Sequence, residues 1–198
     1  MRTLAVLVVA AVAVAAGAYF IVLPDFFSAR AKPNRVEAAV VRRLRRMAIP
    51  REMCTRENPI GLTTEVLAEG RAHFADHCAV CHGNDGRGKT EMGSNFYPPV
   101  PDMTLPDIQS LSDGELYYAI RNGVRFSGMP AWGSDSAEDD WSNWKLVHFI
   151  RHLPKITKAE LREMKRLNPK SPEELEEDAE AEKFLKQGGS TKPSDHHH

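Results

Sequence analysis

Cysteine is scarce in this chain, with three residues among 198, at positions 54, 78 and 81. That excludes a disulfide scaffold, the usual support of a small secreted domain with a thin core. An excess of one charge is also missing: 26 Lys and Arg stand against 27 Asp and Glu, a net charge of −1. The whole chain therefore lacks the basic footprint of a nucleic-acid-binding protein. Glycine and proline, 13 of each, fall far short of collagen-like usage, and 42% apolar with 27% charged residues is ordinary globular composition. The length suits one domain with appendages. These averages conceal unlike segments, at residues 1–23, 24–62, 63–154, 155–187 and 188–198.

Residues 4–23 contain no charged side chain and consist almost wholly of Ala, Val, Leu, Ile and aromatics. As a helix this run is about 30 Å long, enough to span a bilayer. A cleavable signal peptide is the rival reading, since Ala16-Gly17-Ala18 has the small-x-small form of a cleavage site. Two features favour a retained anchor. The run exceeds the roughly 7–15 residues of a signal core, and a cut after Ala18 leaves an apolar Tyr19-Phe20-Ile21-Val22-Leu23 terminus. The basic residues that follow (Arg30, Lys32, Arg35, Arg42, Arg43) would by themselves keep the remainder in the cytoplasm. The motif described below requires the opposite side, and it takes precedence here.

The stretch 24–62 reads as a tether without a convincing core. Asn34-x-x-Glu37 resembles a capping box, followed by Val36, Val40, Leu44 and Met47 at helical spacing among arginines. Residues 28–57 hold nine basic and three acidic side chains, net +6. A basic amphipathic helix of this kind lies on anionic lipid, docks on an acidic partner, or serves as a solvated spacer. Cys54 stands alone in a polar stretch and reads as an inert thiol or the site of an intermolecular bridge.

Cys78-Ala79-Val80-Cys81-His82 is a C-x-x-C-H sequence, the attachment signature of a c-type haem. Residues three and four apart share a helix face. Cys78 and Cys81 therefore suit thioether bonds to two vinyl groups on one side of a porphyrin, with His82 directed at the iron. A structural zinc site needs about four ligands, and no second C-x-x-C or His pair accompanies this one. A thioredoxin-like motif needs a βαβ setting, which the flanking pattern lacks.

From these residues the chain resembles the class I c-type cytochromes over about residues 64–154. Gly70, Phe74 and Cys78 fall at four-residue steps before the motif, as in that family. A glycine there permits close approach of a second helix. The family's second axial ligand is a methionine in a Gly-Met-Pro-like segment. The resemblance thus implies Met129, in Gly128-Met129-Pro130-Ala131-Trp132, 47 residues after His82. A thioether favours ferrous iron and raises the reduction potential. The resemblance also implies that a carbonyl in Pro98-Pro99-Val100-Pro101, from Pro98 or Pro99, fixes the second ring nitrogen of His82. Tyr97 and Trp132 are candidates for haem propionate contacts or for packing against the macrocycle.

Residues 83–111 show no helix or strand period, and a loop of that length needs something to wrap. Ser112-x-x-Glu115 is a capping box that opens a helix with Leu116, Ala119 and Ile120 on one face and Gly123 as its stop. A further helix near residues 141–153 carries Leu146, Phe149, Ile150 and Leu153 and is expected to cross the Gly70/Phe74 helix. His148 and His152 share another face of it, which reads as solvated more readily than as a metal pair. The expected fold is all-α: a cytochrome c-like haem domain of three to four helices, with an N-terminal transmembrane helix and a helical C-terminal extension. A haem acting as much of the core implies a poorly folded apo-chain.

The extension opens with two capping boxes, Thr157-x-x-Glu160 and Ser171-x-x-Glu174. Seven acidic residues between Glu173 and Glu182 form either a solvated helix or a docking arm. Gly188 onward reads as disordered, and His196-His197-His198 as a plain tail or an added tag.

The expected function is electron transfer by one covalent haem c, its iron held by His82 and Met129, outside the cytoplasm and tethered to the cytoplasmic membrane through residues 4–23. It is that of a carrier or respiratory-chain subunit and not of an enzyme. The alternative is a gas-sensing or catalytic haem domain in which Met129 dissociates. Residues 62–154 carry seven basic and thirteen acidic side chains, net −6. Redox protein partners with a basic docking surface follow from that charge, and nucleic acid does not.

Overall fold

A computed structural model describes residues 2–26, 28, 31–33 and 35–186. Among these residues the structure is all-helical and contains no strand. In chain order the helices are α1 (Arg2–Phe26), α2 (Arg35–Ala48), α3 (Arg51–Cys54), α4 (Thr64–His73), α5 (Ala79–His82), α6 (Pro106–Gln109), α7 (Asp113–Asn122), α8 (Ala137–His152), α9 (Lys158–Leu167) and α10 (Pro172–Lys186). A π-turn at Phe74–Cys78 joins α4 to α5.

Local chemistry sets the helix starts. Ser112 Oγ accepts the Glu115 N–H at 3.1 Å while the Glu115 carboxylate accepts the Ser112 N–H at 2.7 Å. Thr157 and Glu160 close the same reciprocal pair at 3.2 and 2.8 Å, as do Ser171 and Glu174. Each pair satisfies two backbone donors that a helix start leaves open. The apolar period indicates a helix near residue 141, but α8 starts earlier, where Ser136 Oγ accepts the Asp139 N–H at 3.1 Å. Glu138, Asp139 and Asp140 fill its first turn and favour the positive end of the helix dipole. Asn34, the cap expected for α2, lies outside the described residues.

The core forms where α8 crosses α4. A Cβ on Gly70 would stand 2.4 Å from the Lys145 carbonyl oxygen, so only glycine lets the two backbones meet there. Phe74 and Phe149 fill the crossing with ring centroids 5.1 Å apart, and both are fully buried. Leu146, Ile150 and Leu153 are buried beside them. On the far side of α8, Trp144 stacks on Tyr117 of α7 at 4.0 Å.

Two stretches that read as appendages contribute to this body. Ile49 and Met53 are core residues. The chain behind them is tied to α7 and α8: Gly114 N–H donates to Arg56 O at 3.0 Å, Ser112 Oγ to Met53 O at 3.0 Å and Asn58 Nδ2 to Trp144 O at 2.9 Å. Two apolar side chains in a polar stretch make no period, so this burial left no pattern to read. In the C-terminal extension Met164 of α9 is fully buried. Arg71 of α4 pairs there with Glu160 at 3.2 Å and Glu163 at 2.8 Å. His148 and His152 are half-buried instead of solvated: His148 Nε2 lies 2.7 Å from Ile60 O, and His152 Nε2 lies 2.9 Å from Glu160.

α1 is a continuous helix of 25 residues. Its described side chains, residues 3–17 and 19, are apolar apart from Thr3 and the Tyr19 hydroxyl. Among the described residues no helix is long and apolar enough to cross a membrane. Residues 187–198, which include the expected tail, lie outside the described residues.

Candidate functional site

The C-x-x-C-H residues sit at the end of the helix that makes the core crossing. Between Phe74 and Cys78 the helix widens into the π-turn, with Ala79 N–H donating to Phe74 O. The extra residue per turn means that the four-residue steps Gly70, Phe74 and Cys78 do not continue one straight face. It swings Cys78 and Cys81 to half-buried positions while His82 goes inward, 8% exposed, with its ring 6.3 Å from that of Phe74. Gly83, at φ +73°, ends α5 and turns the chain back.

The following loop wraps this turn by its backbone. Gly88 N–H donates to His82 O at 2.7 Å and Thr90 Oγ1 to Cys81 O at 3.0 Å. A Cβ on Gly93 would meet Cys81 O at 2.3 Å. Residues 83–111 are not wholly irregular, since they contain a 3-10 turn at Gly93–Asn95 and the short α6. Elements of three and four residues are too brief to show a period. Met92 Sδ comes within 3.6 Å of Cys81 Sγ.

Burial dominates the electrostatics. It holds the His82 imidazole down to about 4, so the ring is neutral at neutral pH. Burial, with the neighbouring Cys81, pushes the Cys78 thiol up to about 12, and burial also raises Cys81. Redox-active C-x-x-C pairs need the reverse, a thiolate favoured by its surroundings. Two protonated thiols beside a neutral imidazole suit covalent attachment and metal ligation instead. His82 Nδ1 is buried and has no hydrogen-bond partner. The carbonyl expected from Pro98 or Pro99 therefore does not hold it. The loop is tied to the carbonyls of Cys81 and His82, and Pro98 and Pro99 lie beyond those ties, half-buried and exposed respectively.

Met129 lies on a segment folded back against the end of α7. Gly123 takes φ +66°, and a Cβ there would strike the backbone of Pro130 and Ala131 at 2.7 Å. Val124 N–H donates to Met129 O at 3.1 Å, Met129 N–H to Ser127 Oγ at 3.2 Å and Trp132 N–H to Ile120 O at 3.1 Å. Met129 and Trp132 both pack partly buried against the core. Gly128 lies against the Phe96 ring, which brings the Met129 segment beside the loop that wraps the motif. The Trp132 ring lies 5.4 Å from that of His77, the residue before Cys78. Tyr97 donates its hydroxyl to Glu37 of α2.

Sequence reasoning passed over His77 and Phe126. His77 and His73 meet edge to face at 4.9 Å and, with Trp132, Asp139 and Asn143, line a cleft of about 310 Å³. Phe126 is 90% exposed at φ +60°, three residues before Met129. The four-residue spacing of His73 and His77 was a signal that could have marked the pair, whereas the Trp132 contact and the exposure of Phe126 depend on how the Met129 segment folds over α7 and α8.

Residues 65–150 match the family described as cytochrome c oxidase, cbb3-type, subunit III. This part of the chain is a member of the c-type cytochrome family. The chain is similar to the cbb3-type cytochrome c oxidase subunit CcoP of Cereibacter sphaeroides, 33% identical over 73 residues, which is 37% of this chain and 23% of that protein. It is also similar to a thiosulfate dehydrogenase of Stutzerimonas stutzeri, 44% identical over 34 residues, 17% of this chain and 11% of that one. The chain thus spans less than a quarter of either relative. The all-helical body and the π-turned C-x-x-C-H helix fit a cytochrome domain built for haem-based electron transfer.

Proposed function

We propose that the cytochrome domain would carry one haem c on Cys78 and Cys81, with His82 and Met129 as the residues that would hold its iron. The observation that carries this reading is the His82 turn itself. A buried, neutral imidazole with an unpartnered ring nitrogen stands on the same turn as two protonated thiols. When bound, the haem supplies a one-electron couple. The chain's own residues do the rest. His82 is kept neutral and oriented by packing against Phe74, and the Met129 segment is braced on α7. With His82 and Met129 both given to the iron, the domain would act as a carrier and not as a catalyst. The CcoP relative, named as an oxidase subunit, supports a place beside redox protein partners.

Residues 4–23 anchor the chain in the cytoplasmic membrane, and the cytochrome domain stands on the extracytoplasmic side. The uncharged run of residues 4–23 supports the anchor, and c-type haem attachment supports the side. The net −6 of residues 62–154 favours partners with a basic docking surface, whose association weakens as salt rises.

Optical spectra of the oxidised and reduced protein, made with a haem-attachment system, test the ligand set. The native protein is expected to be low-spin in both states and to leave carbon monoxide unbound, whereas Met129→Ala lowers the potential and binds it. A Met129→Ala spectrum and potential identical to the native ones would remove Met129 from the iron.

A further inference from the structure

α2 carries its apolar stripe on the wrong side for a core helix. At 100° per residue, Val36, Val40, Leu44 and Met47 fall within an arc of about 80°. All four are exposed, at 74, 51, 58 and 71%. The side turned to the cytochrome domain is another one, where Glu37, Ala38 and Arg45 are half-buried and Glu37 accepts the Tyr97 hydroxyl. Arg35, Arg42 and Arg43 are exposed beyond the stripe, and Glu37 is the one acidic residue of the helix.

We propose that α2 lies along an anionic lipid surface, with the Val36–Val40–Leu44–Met47 stripe among the acyl chains and the arginines at the phosphates. Charge complementarity selects this occupant over a plain apolar groove. So does reach: eight residues separate Phe26 from Arg35, a gap of at most about 32 Å when extended, so a chain anchored through residues 4–23 keeps α2 near the bilayer. The acidic α10 is the rival cover, from the same chain or a second copy. Its exposed Leu175, Phe184 and Leu185 are spread over an arc of about 180°, twice that of the α2 stripe, and are only three in number. The inference rests on the anchor reading of residues 4–23. Through Glu37 and Tyr97 the seated helix holds the loop around the C-x-x-C-H turn at a set height above the lipid.

The test uses the full-length holoprotein with Cys54→Ser and Leu44→Cys, labelled at that position with an environment-sensitive fluorophore. The Cys54→Ser parent, labelled in parallel, serves as the blank. It is reconstituted in nanodiscs of phosphatidylcholine, or of equal parts phosphatidylcholine and phosphatidylglycerol. In the anionic discs the emission is expected to shift to the blue and to be quenched by doxyl lipids several-fold more than in the neutral discs. Arg42→Glu with Arg43→Glu abolishes the difference. Water-like emission in both discs overturns the proposal, as does quenching that ignores lipid charge and charge reversal. Protection that grows with protein concentration assigns the face to a second copy and also overturns it. Failure of the anchor is separately visible. A chain that co-elutes with anionic discs alone, with the probe quenched, retains the α2 contact without the anchor, and one that co-elutes with neither disc loses both.

Discussion

α8 and α2 bear apolar stripes at similar helical spacing and meet opposite fates. Leu146, Phe149, Ile150 and Leu153 in and just after α8 are between 0 and 4% exposed, while Val36, Val40, Leu44 and Met47 in α2 are more than half exposed. The difference lies in what can approach. α8 meets a helix with Gly70 at the contact, where a bare backbone lets Phe149 and Phe74 interlock. α2 meets the domain by a polar edge, through Glu37 and Tyr97. A stripe declares that a face wants cover, but only the neighbour decides whether the cover comes from the chain itself.

That contrast can be broken first at Phe149. Phe149→Ala is expected to cost about 4 kcal/mol, the cavity value for a fully buried aromatic. Urea unfolding of the holoprotein measures it, and a loss below about 1 kcal/mol would show that the α4–α8 crossing is not the core. Gly70→Ala comes next. Its Cβ would lie 2.4 Å from a backbone oxygen, which must move, and a loss of about 2 kcal/mol is expected in the same assay.

The dock of α9 on α4 responds to acid. Burial raises Glu160, yet the Thr157 N–H and hydroxyl together with His152 outweigh it and hold the carboxyl below its ordinary range. A carboxylate held down in the folded state stabilises above the unfolded value near 4.5 and loses that contribution as pH falls through its lower folded value. Glu160→Gln is therefore expected to cost about 1 kcal/mol at neutral pH and to converge with the native protein in acid. Equal offsets at both pH values in thermal melts would contradict this. Smallest is the effect on α2: Val40→Ser with Leu44→Ser should change the unfolding free energy of the domain by less than about 0.5 kcal/mol, since neither side chain is buried. A loss as large as that of Phe149→Ala would place the α2 stripe in the core after all.

Much of the helical framework can be read without coordinates. The Ser112, Thr157 and Ser171 caps close as their spacing implies, because a cap involves only residues three apart. The Gly70 approach and the burial of Leu146, Phe149 and Ile150 follow from periodicity. The burial of Ile49, Met53 and Met164 was not legible, since isolated apolar side chains in polar stretches gain their partners from distant chain.

The candidate site divides in the same way. Cys78, Cys81 and His82 share one turn, so their juxtaposition is a property of five consecutive residues. By itself the sequence determined those local groupings: the C-x-x-C-H chemistry, the caps, the helix faces and the opposed charges of tether and domain. Tertiary structure alone decided the rest. The π-turn aims the motif, the Met129 segment folds onto α7, Trp132 meets His77, and α2 turns its stripe away from the core. The last two depend on contacts between residues far apart in the chain, Trp132 with His77 and Tyr97 with Glu37, and the first two on irregular turns that leave no apolar period.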